Sequence, residues 1–230
     1  MPGLRATTMT DAAVARLREV VEPGGEELEP YVARLCHAIG QAHAQWRLLA
    51  HFRDVAIEGE MASGGRLDGP NLEPFIRAYA PQAGLGEHTQ RLNAAVARGL
   101  GALWADFQRS LSIPGLKWYP TFADVAGPDA APVPNRPAPL AACAGDWALV
   151  SAPVIGTYLA RVPLTPVPHA AELLDAVATG FAAAVDEWLL SQMIMNVVGH
   201  GPVPTFAPPH APHGPVEGGT IIPAPGHLAS

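Results

Sequence analysis

A chain of 230 residues, 49% of them hydrophobic and with a mean hydropathy of +0.15, has room for a substantial core and does not read as a disordered polymer. Its net charge of −7, with no cluster of four basic residues, argues against a nucleic-acid partner, because that affinity rests on Lys and Arg neutralising phosphates. Charged residues make up 15%, against about 25% in ordinary soluble domains, which predicts a surface partly covered by further copies of the chain or by other subunits of a larger particle.

The first predicted helix is capped by Thr10 or Asp11 and runs through Val21, with Val14, Leu17, Val20 and Val21 on one face. Pro23-Gly24-Gly25 ends it. A long helix then starts near Pro30, where the missing N–H costs nothing. Glu26, Glu27 and Glu29 complement its dipole, and apolar positions Tyr31, Leu35, Ile39, Trp46, Leu49, Phe52 and Val55 carry it to about Glu58. Gly64-Gly65 and Asp68-Gly69-Pro70-Asn71 read as a loop, followed by a short helix over Leu72 to Tyr79. The clearest periodicity follows from about Gly86 to Leu111, where Leu92, Val96, Leu100, Leu103, Phe107 and Leu111 recur at spacings of three and four.

Residues 112–140 hold seven prolines, so an extended, polyproline-like arm is expected there, anchored at its start by Trp118, Tyr119 and Phe122. Ala141 to Val150 reads as helix before Pro153 intrudes. A strong helix is predicted from about Ala170 to Val198, with Leu173, Val177, Phe181, Val185, Trp188 and Met195 inward. Its second half, LLSQMIMNVV, carries no charge and is expected to lie in the core or against another subunit. The last 32 residues contain eight prolines and six glycines yet keep Val203, Phe206, Val216, Ile221, Ile222 and Leu228, and read as a second arm. The expected architecture is mainly α. Residues 1–111 form N-terminal helices and 112–140 the first arm. Residues 141–198 form C-terminal helices on the same core, and 199–230 form the C-terminal arm.

Chemistry-bearing residues form no recognisable constellation. His37 and His43 are six apart on the long helix, about 240° from each other, and His51 lies roughly 80° further round. No HExxH, paired ExxH or Cys–His zinc spacing occurs among the nine histidines, so neither a metal nor any other cofactor is expected. There is no GxSxG, and Asp146 near Cys143 would raise the thiol pKa, the wrong direction for a nucleophile. Cys36 and Cys143 lie among Ala and Leu, and buried free thiols are expected. The N-terminus lacks a basic region followed by an apolar core, and no apolar stretch reaches the length of a membrane span. The reading is of a chain cytoplasmic at synthesis, with a particle released later leaving the same signature.

Two stretches resemble each other at a separation of 84 residues: Trp104 with Trp188, Gly115 with Gly199, Pro120-Thr121-Phe122-Ala123 with Pro204-Thr205-Phe206-Ala207, and Pro128 with Pro212. Ala, Pro and Gly are abundant enough here for coincidence to account for part of the match. A helix feeding a stiff arm is an assembly device more naturally than a catalytic one.

The strings WYPTFADVAGPDAAPVPNRPAPL (118–140) and GPVPTFAPPHAPHGPVEGGT (201–220) resemble small structural proteins of phage-like contractile tails and contractile injection systems. That resemblance, confined to the arms, implies a non-enzymatic component repeated in a symmetric particle, with arms reaching onto neighbouring subunits. Trp118, Tyr119, Phe122, Trp188 and Phe206 are then the candidate interface anchors. Removing residues 200–230 is expected to leave a folded helical core that no longer assembles. Two other readings stay open. One is a helical-bundle enzyme or metal- or ligand-binding protein using His37, His43 and His51; the other is an adaptor whose proline-rich arms are ligands for another domain.

Overall fold

The computed structural model describes residues 3–21, 25–81, 86–119, 124–164, 167–204 and 213–228. Helix α1 (Ala6–Val20) places Met9, Ala13 and Leu17, one turn apart, on a single buried stripe. Helix α2 (Glu29–Leu49) has Pro30 in its first turn, and Glu29 is tied back to Arg18 at 2.7 Å. α2 stops at Leu49, short of the expected Glu58. The chain turns instead into a hairpin of strands β1 (His51–Glu58) and β2 (Met61–Asp68), closed by the pair Glu58–Met61. Val55 and Ile57 go inward while Asp54, Ala56 and Glu58 stay exposed, an alternation that a strand satisfies, and Phe52 is buried in the opposite phase across the left-handed Asp54.

Helix α3 (Leu72–Tyr79) is capped by Asn71, whose Oδ1 accepts the Glu73 N–H at 2.8 Å. Helix α4 (Glu87–Ser110) follows, burying Leu92, Val96, Leu100, Leu103 and Phe107 as the periodicity predicts, and leads into strand β3 (Ile113–Lys117). Short strands β4 (Asp124–Val125), β5 (Val133–Pro134) and β6 (Ala138–Pro139) occupy the proline-dense stretch. Two 3₁₀ turns, Leu140–Ala142 and Trp147–Val150, replace the helix expected over Ala141–Val150, and helix α5 (Ala152–Leu159) starts with Pro153 in its first turn. Helix α6 (Ala170–Ser191) ends seven residues before the expected Val198 (198 − 191), and its apolar continuation becomes strands β7 (Met193–Ile194) and β8 (Val198–His200). Strands β9 (His213–Gly214) and β10 (Gly219–Ile222) complete the described chain.

The expectation of a mainly α fold is therefore overturned: among the described residues six helices accompany a six-stranded antiparallel sheet of order β3-β2-β1-β10-β8-β5. The described parts of the two proline-rich segments, expected as extended arms, pair within this chain's own strands. β10 lies between β1 and β8, with Ala56 opposite Thr220 and Thr220 opposite His200. The first segment runs antiparallel along the second: Asp124 pairs with Gly214, Gly127 with Val203 and Val133 with Gly199. The physical reason is that prolines forbid a continuous ladder but not two-residue strands such as Val133–Pro134 and Ala138–Pro139, and that the four residues of β10 lie between prolines rather than on them. The edge strands β3 and β5 carry Pro114 and Pro134, which discourage further strand addition.

One core joins the two layers. Phe52, Val55, Ile57, Leu67 and Ile221 from the sheet share a buried cluster with Leu35, Trp46, Phe107, Phe181 and Trp188 from the helices. α1 lies so close on α6 that a Cβ at Gly180 would sit 2.4 Å from the Met9 carbonyl oxygen and 2.8 Å from Ala13 Cβ, so only glycine allows this approach. Leu228, near the end of the tail, is fully buried. Its carbonyl accepts from Arg47 Nη1 at 2.9 Å and Gln192 Nε2 at 3.0 Å. A helical core left intact by removal of residues 200–230 is thus not what the fold permits, because that deletion takes out a central strand and a core leucine. Among the described residues no helix is long and apolar enough to cross a membrane.

Candidate functional site

Three tryptophans of the core converge on one histidine. His43, from α2, lies 5.1 Å between ring centroids from Trp46, 5.1 Å from Trp104 on α4 and 4.7 Å from Trp188 on α6. It is fully buried. Nδ1 accepts the Leu4 N–H at 3.2 Å, which assigns the proton of the neutral ring to Nε2, and Nε2 has no hydrogen-bond partner among the described residues. Desolvation, with a smaller contribution from the Arg47 charge, pushes the His43 pKa down to about 3. The ring therefore stays neutral across the physiological range and acts as a packing element rather than a proton carrier.

Two glutamines fix the indoles around it. Trp46 Nε1 donates to Gln108 Oε1 at 3.0 Å, and Trp188 Nε1 donates to Gln192 Oε1 at 2.8 Å. Gln192 reaches on to the Leu228 carbonyl, and His227 Nδ1 accepts the Phe52 N–H at 2.8 Å, so the C-terminal segment closes the same polar layer. Burial, followed by the nearby His51, holds the His227 pKa down at about 4. Trp104, matched with Trp188 in the sequence, sits 5.8 Å from it in this one cluster, each delivered by a long helix that leads into a sheet strand.

The anchors expected from sequence are placed as follows. Trp118 and Tyr119 are buried at 1% and 0% exposure, Trp118 against Phe52 and Tyr119 with its hydroxyl donating to the Val197 carbonyl at 3.2 Å. Trp188 is buried in the tryptophan cluster. All three side chains are thus occupied by packing within the chain. Phe122 and Phe206, with both copies of Thr-Phe-Ala, lie outside the described residues. His37, His43 and His51 are not brought together: His37 is exposed on α2, His43 is in the core, and His51 stands 6.3 Å from His227. Among the described residues no three His, Cys, Asp or Glu side chains are grouped to hold a metal ion. Cys36 and Cys143 are free and buried, and burial pushes both thiols up to about 12.

Sequence reasoning missed the surface feature that stands out most. Leu190, in the last turn of α6, is 83% exposed. It flanks an open apolar groove of about 490 Å³ lined also by Ala141, Trp147, Val150 and Leu189, with Asp186 as its charged residue. Leu48 and Leu49, 46% and 44% exposed, lie at the C-terminus of α2 beside Arg47; because Arg47 and Gln192 bind the same Leu228 carbonyl, the three leucines occupy one end of the molecule. The signal was the charge-free run after Glu187, whose helical face pointing away from the core is itself a leucine.

Comparison of the chain with protein-family models, with curated proteins and with solved structures finds no match in any of the three.

Proposed function

We propose that this chain is a non-enzymatic structural subunit that associates with further copies of itself within a larger assembly. The observation that carries this reading is Leu190, an exposed leucine standing beside an apolar groove on the same surface. A projection and a recess side by side form a self-complementary patch, so a two-fold axis through it lets each copy place its Leu190 in the other's groove. Burying one leucine contributes about 1.5–3 kcal/mol, and a symmetric contact makes that gain twice. The 15% charged composition supports the same reading, as does the confinement of the histidine and tryptophans to a sealed core. The setting of a phage-like contractile particle rests on the resemblance of residues 118–140 and 201–220 alone.

The test is mass photometry and light scattering of the full-length chain over a range of concentrations, beside Leu190→Asp. The expected result is a discrete oligomer for the wild type and a species near 24.0 kDa for the variant, with unchanged circular dichroism. A wild type that stays at that mass at high concentration, or a variant that assembles equally well, overturns the proposal.

A further inference from the structure

A second, polar recess lies at the opposite kind of surface, where the open end of the β1–β2 hairpin meets α3 and α4. It has a volume of about 300 Å³ and is lined by Arg53, Arg66, Asp68, Asn71, Gln108 and Arg109 together with backbone around Gly69. Three guanidiniums and one carboxylate, Asp68, line this recess on a chain of net charge −7, while Asp54 and Asp106, which pair with those guanidiniums, are not among the lining residues.

Its construction sets like charges side by side. Arg53 and Arg66 are direct cross-strand partners, an arrangement of like charges that destabilises a sheet. Asp54 adopts a left-handed φ of 59°, rare for a non-glycine residue, and brings its carboxylate to 3.8 Å from Arg53 and 3.5 Å from Arg66. Asp68 lies 3.1 Å from Arg53 Nε, yet that buried Nε has no hydrogen-bond partner. Arg109 donates to Asp106. The carboxylates of Asp54 and Asp106 therefore hold the guanidiniums from the side, without saturating the donors turned to the recess.

The buried wall of the recess points the same way. Gln108 is only 5% exposed. Its Oε1 is engaged by the Trp46 indole, and its amide NH₂ has no hydrogen-bond partner among the described residues. Since Oε1 is an acceptor for Trp46, the carboxamide cannot flip, and it presents two fixed donors to the recess. Gly69 permits this geometry: a Cβ there would come within 2.7 Å of Trp46 Nε1 and 2.8 Å of Gln108 Oε1. Asn71, the N-cap of α3, brings the positive end of a helix dipole to the rim.

We infer that this recess binds a small oxyanion, a phosphate or carboxylate group, held by Arg53, Arg66 and Arg109 and oriented by the Gln108 amide. Arginine forks and a fixed carboxamide offer only donors, and oxyanions offer only acceptors, so the match is one of chemistry as well as charge. The inference stands apart from the self-association proposed above, which uses the other groove.

The test is a ¹⁵N-resolved NMR titration of the full-length chain with inorganic phosphate and, separately, with acetate, each replacing sodium chloride at constant ionic strength. The Gln108 side-chain NH₂ and arginine Nε–H resonances are expected to shift and saturate with at least one of the two anions; the one that saturates at lower concentration identifies the source of the oxyanion. Arg66→Ala, a change at a half-exposed position, is expected to weaken that binding about tenfold or more, the loss of a charge-assisted contact. Shifts no larger than those with chloride, or saturable binding that Arg66→Ala leaves unchanged, overturn the inference. Gln108→Glu gives a second variant, retaining an acceptor for Trp46 while placing a negative charge in the recess; it is expected to abolish binding, and undiminished binding to it also overturns the inference.

Discussion

Protonating the buried histidine should cost stability in a defined pH window. In the unfolded chain His43 titrates at about 6.5, whereas in the fold its pKa is about 3. Between those values the unfolded state binds one more proton than the folded state, so stability rises with pH and is lost as pH falls from about 6.5 toward 3. At pH 5.0 the unfolded histidine is almost wholly charged and the folded one neutral; 1.36 kcal/mol for each of the 1.5 pH units gives a loss of about 2 kcal/mol relative to pH 7.5. That figure is insensitive to where below 4 the folded value lies. The assay is urea denaturation followed by tryptophan fluorescence at both pH values, for the wild type and for His43→Leu. The variant leaves the Leu4 N–H without its acceptor, which lowers stability by about 1–3 kcal/mol at every pH. The pH-dependent loss, however, should be about 2 kcal/mol smaller in the variant than in the wild type. His227 titrates in both proteins and cancels from the comparison. Equal losses, within about 0.5 kcal/mol on the scale of one pKa unit, would refute the assignment of His43 as a buried neutral ring.

Two further outcomes follow from burial. Leu228→Ala should destabilise the fold by about 2–5 kcal/mol in the same denaturation assay, and truncation before β10 should abolish the cooperative transition, whereas a disposable tail would leave both unchanged. Cys36 and Cys143 should resist a thiol reagent at pH 8 in the native protein and react on unfolding; a thiol titrated promptly without denaturant would contradict their burial.

What a local reading could reach depended on whether the determining interactions are local. α3 and α4 lie within a residue or two of their expected ends, because a cap at Asn71 and a stripe from Leu92 to Phe107 act within a few turns of the backbone they organise. The Ala and Leu neighbours of Cys36 and Cys143 likewise foretold two buried thiols. The β1–β2 hairpin was not legible, since Phe52 and Val55, three residues apart, are spaced as well for a continuing helix as for a strand whose backbone turns left-handed at Asp54. Nor was the fate of the proline-rich segments: their prolines rule out helix and long strands locally, but only β1 and β8 supply the backbone partners that make residues 219–222 a central strand. The histidine core and the arginine recess belong to the same class. His43, Trp104 and Trp188 come from three helices, and Arg53, Asn71 and Gln108 from β1, the cap of α3 and α4, so their chemistry exists only once these elements pack together. Periodicity and capping are decided within a few residues of chain; desolvation, pairing and convergent charge are decided by residues that sequence keeps far apart.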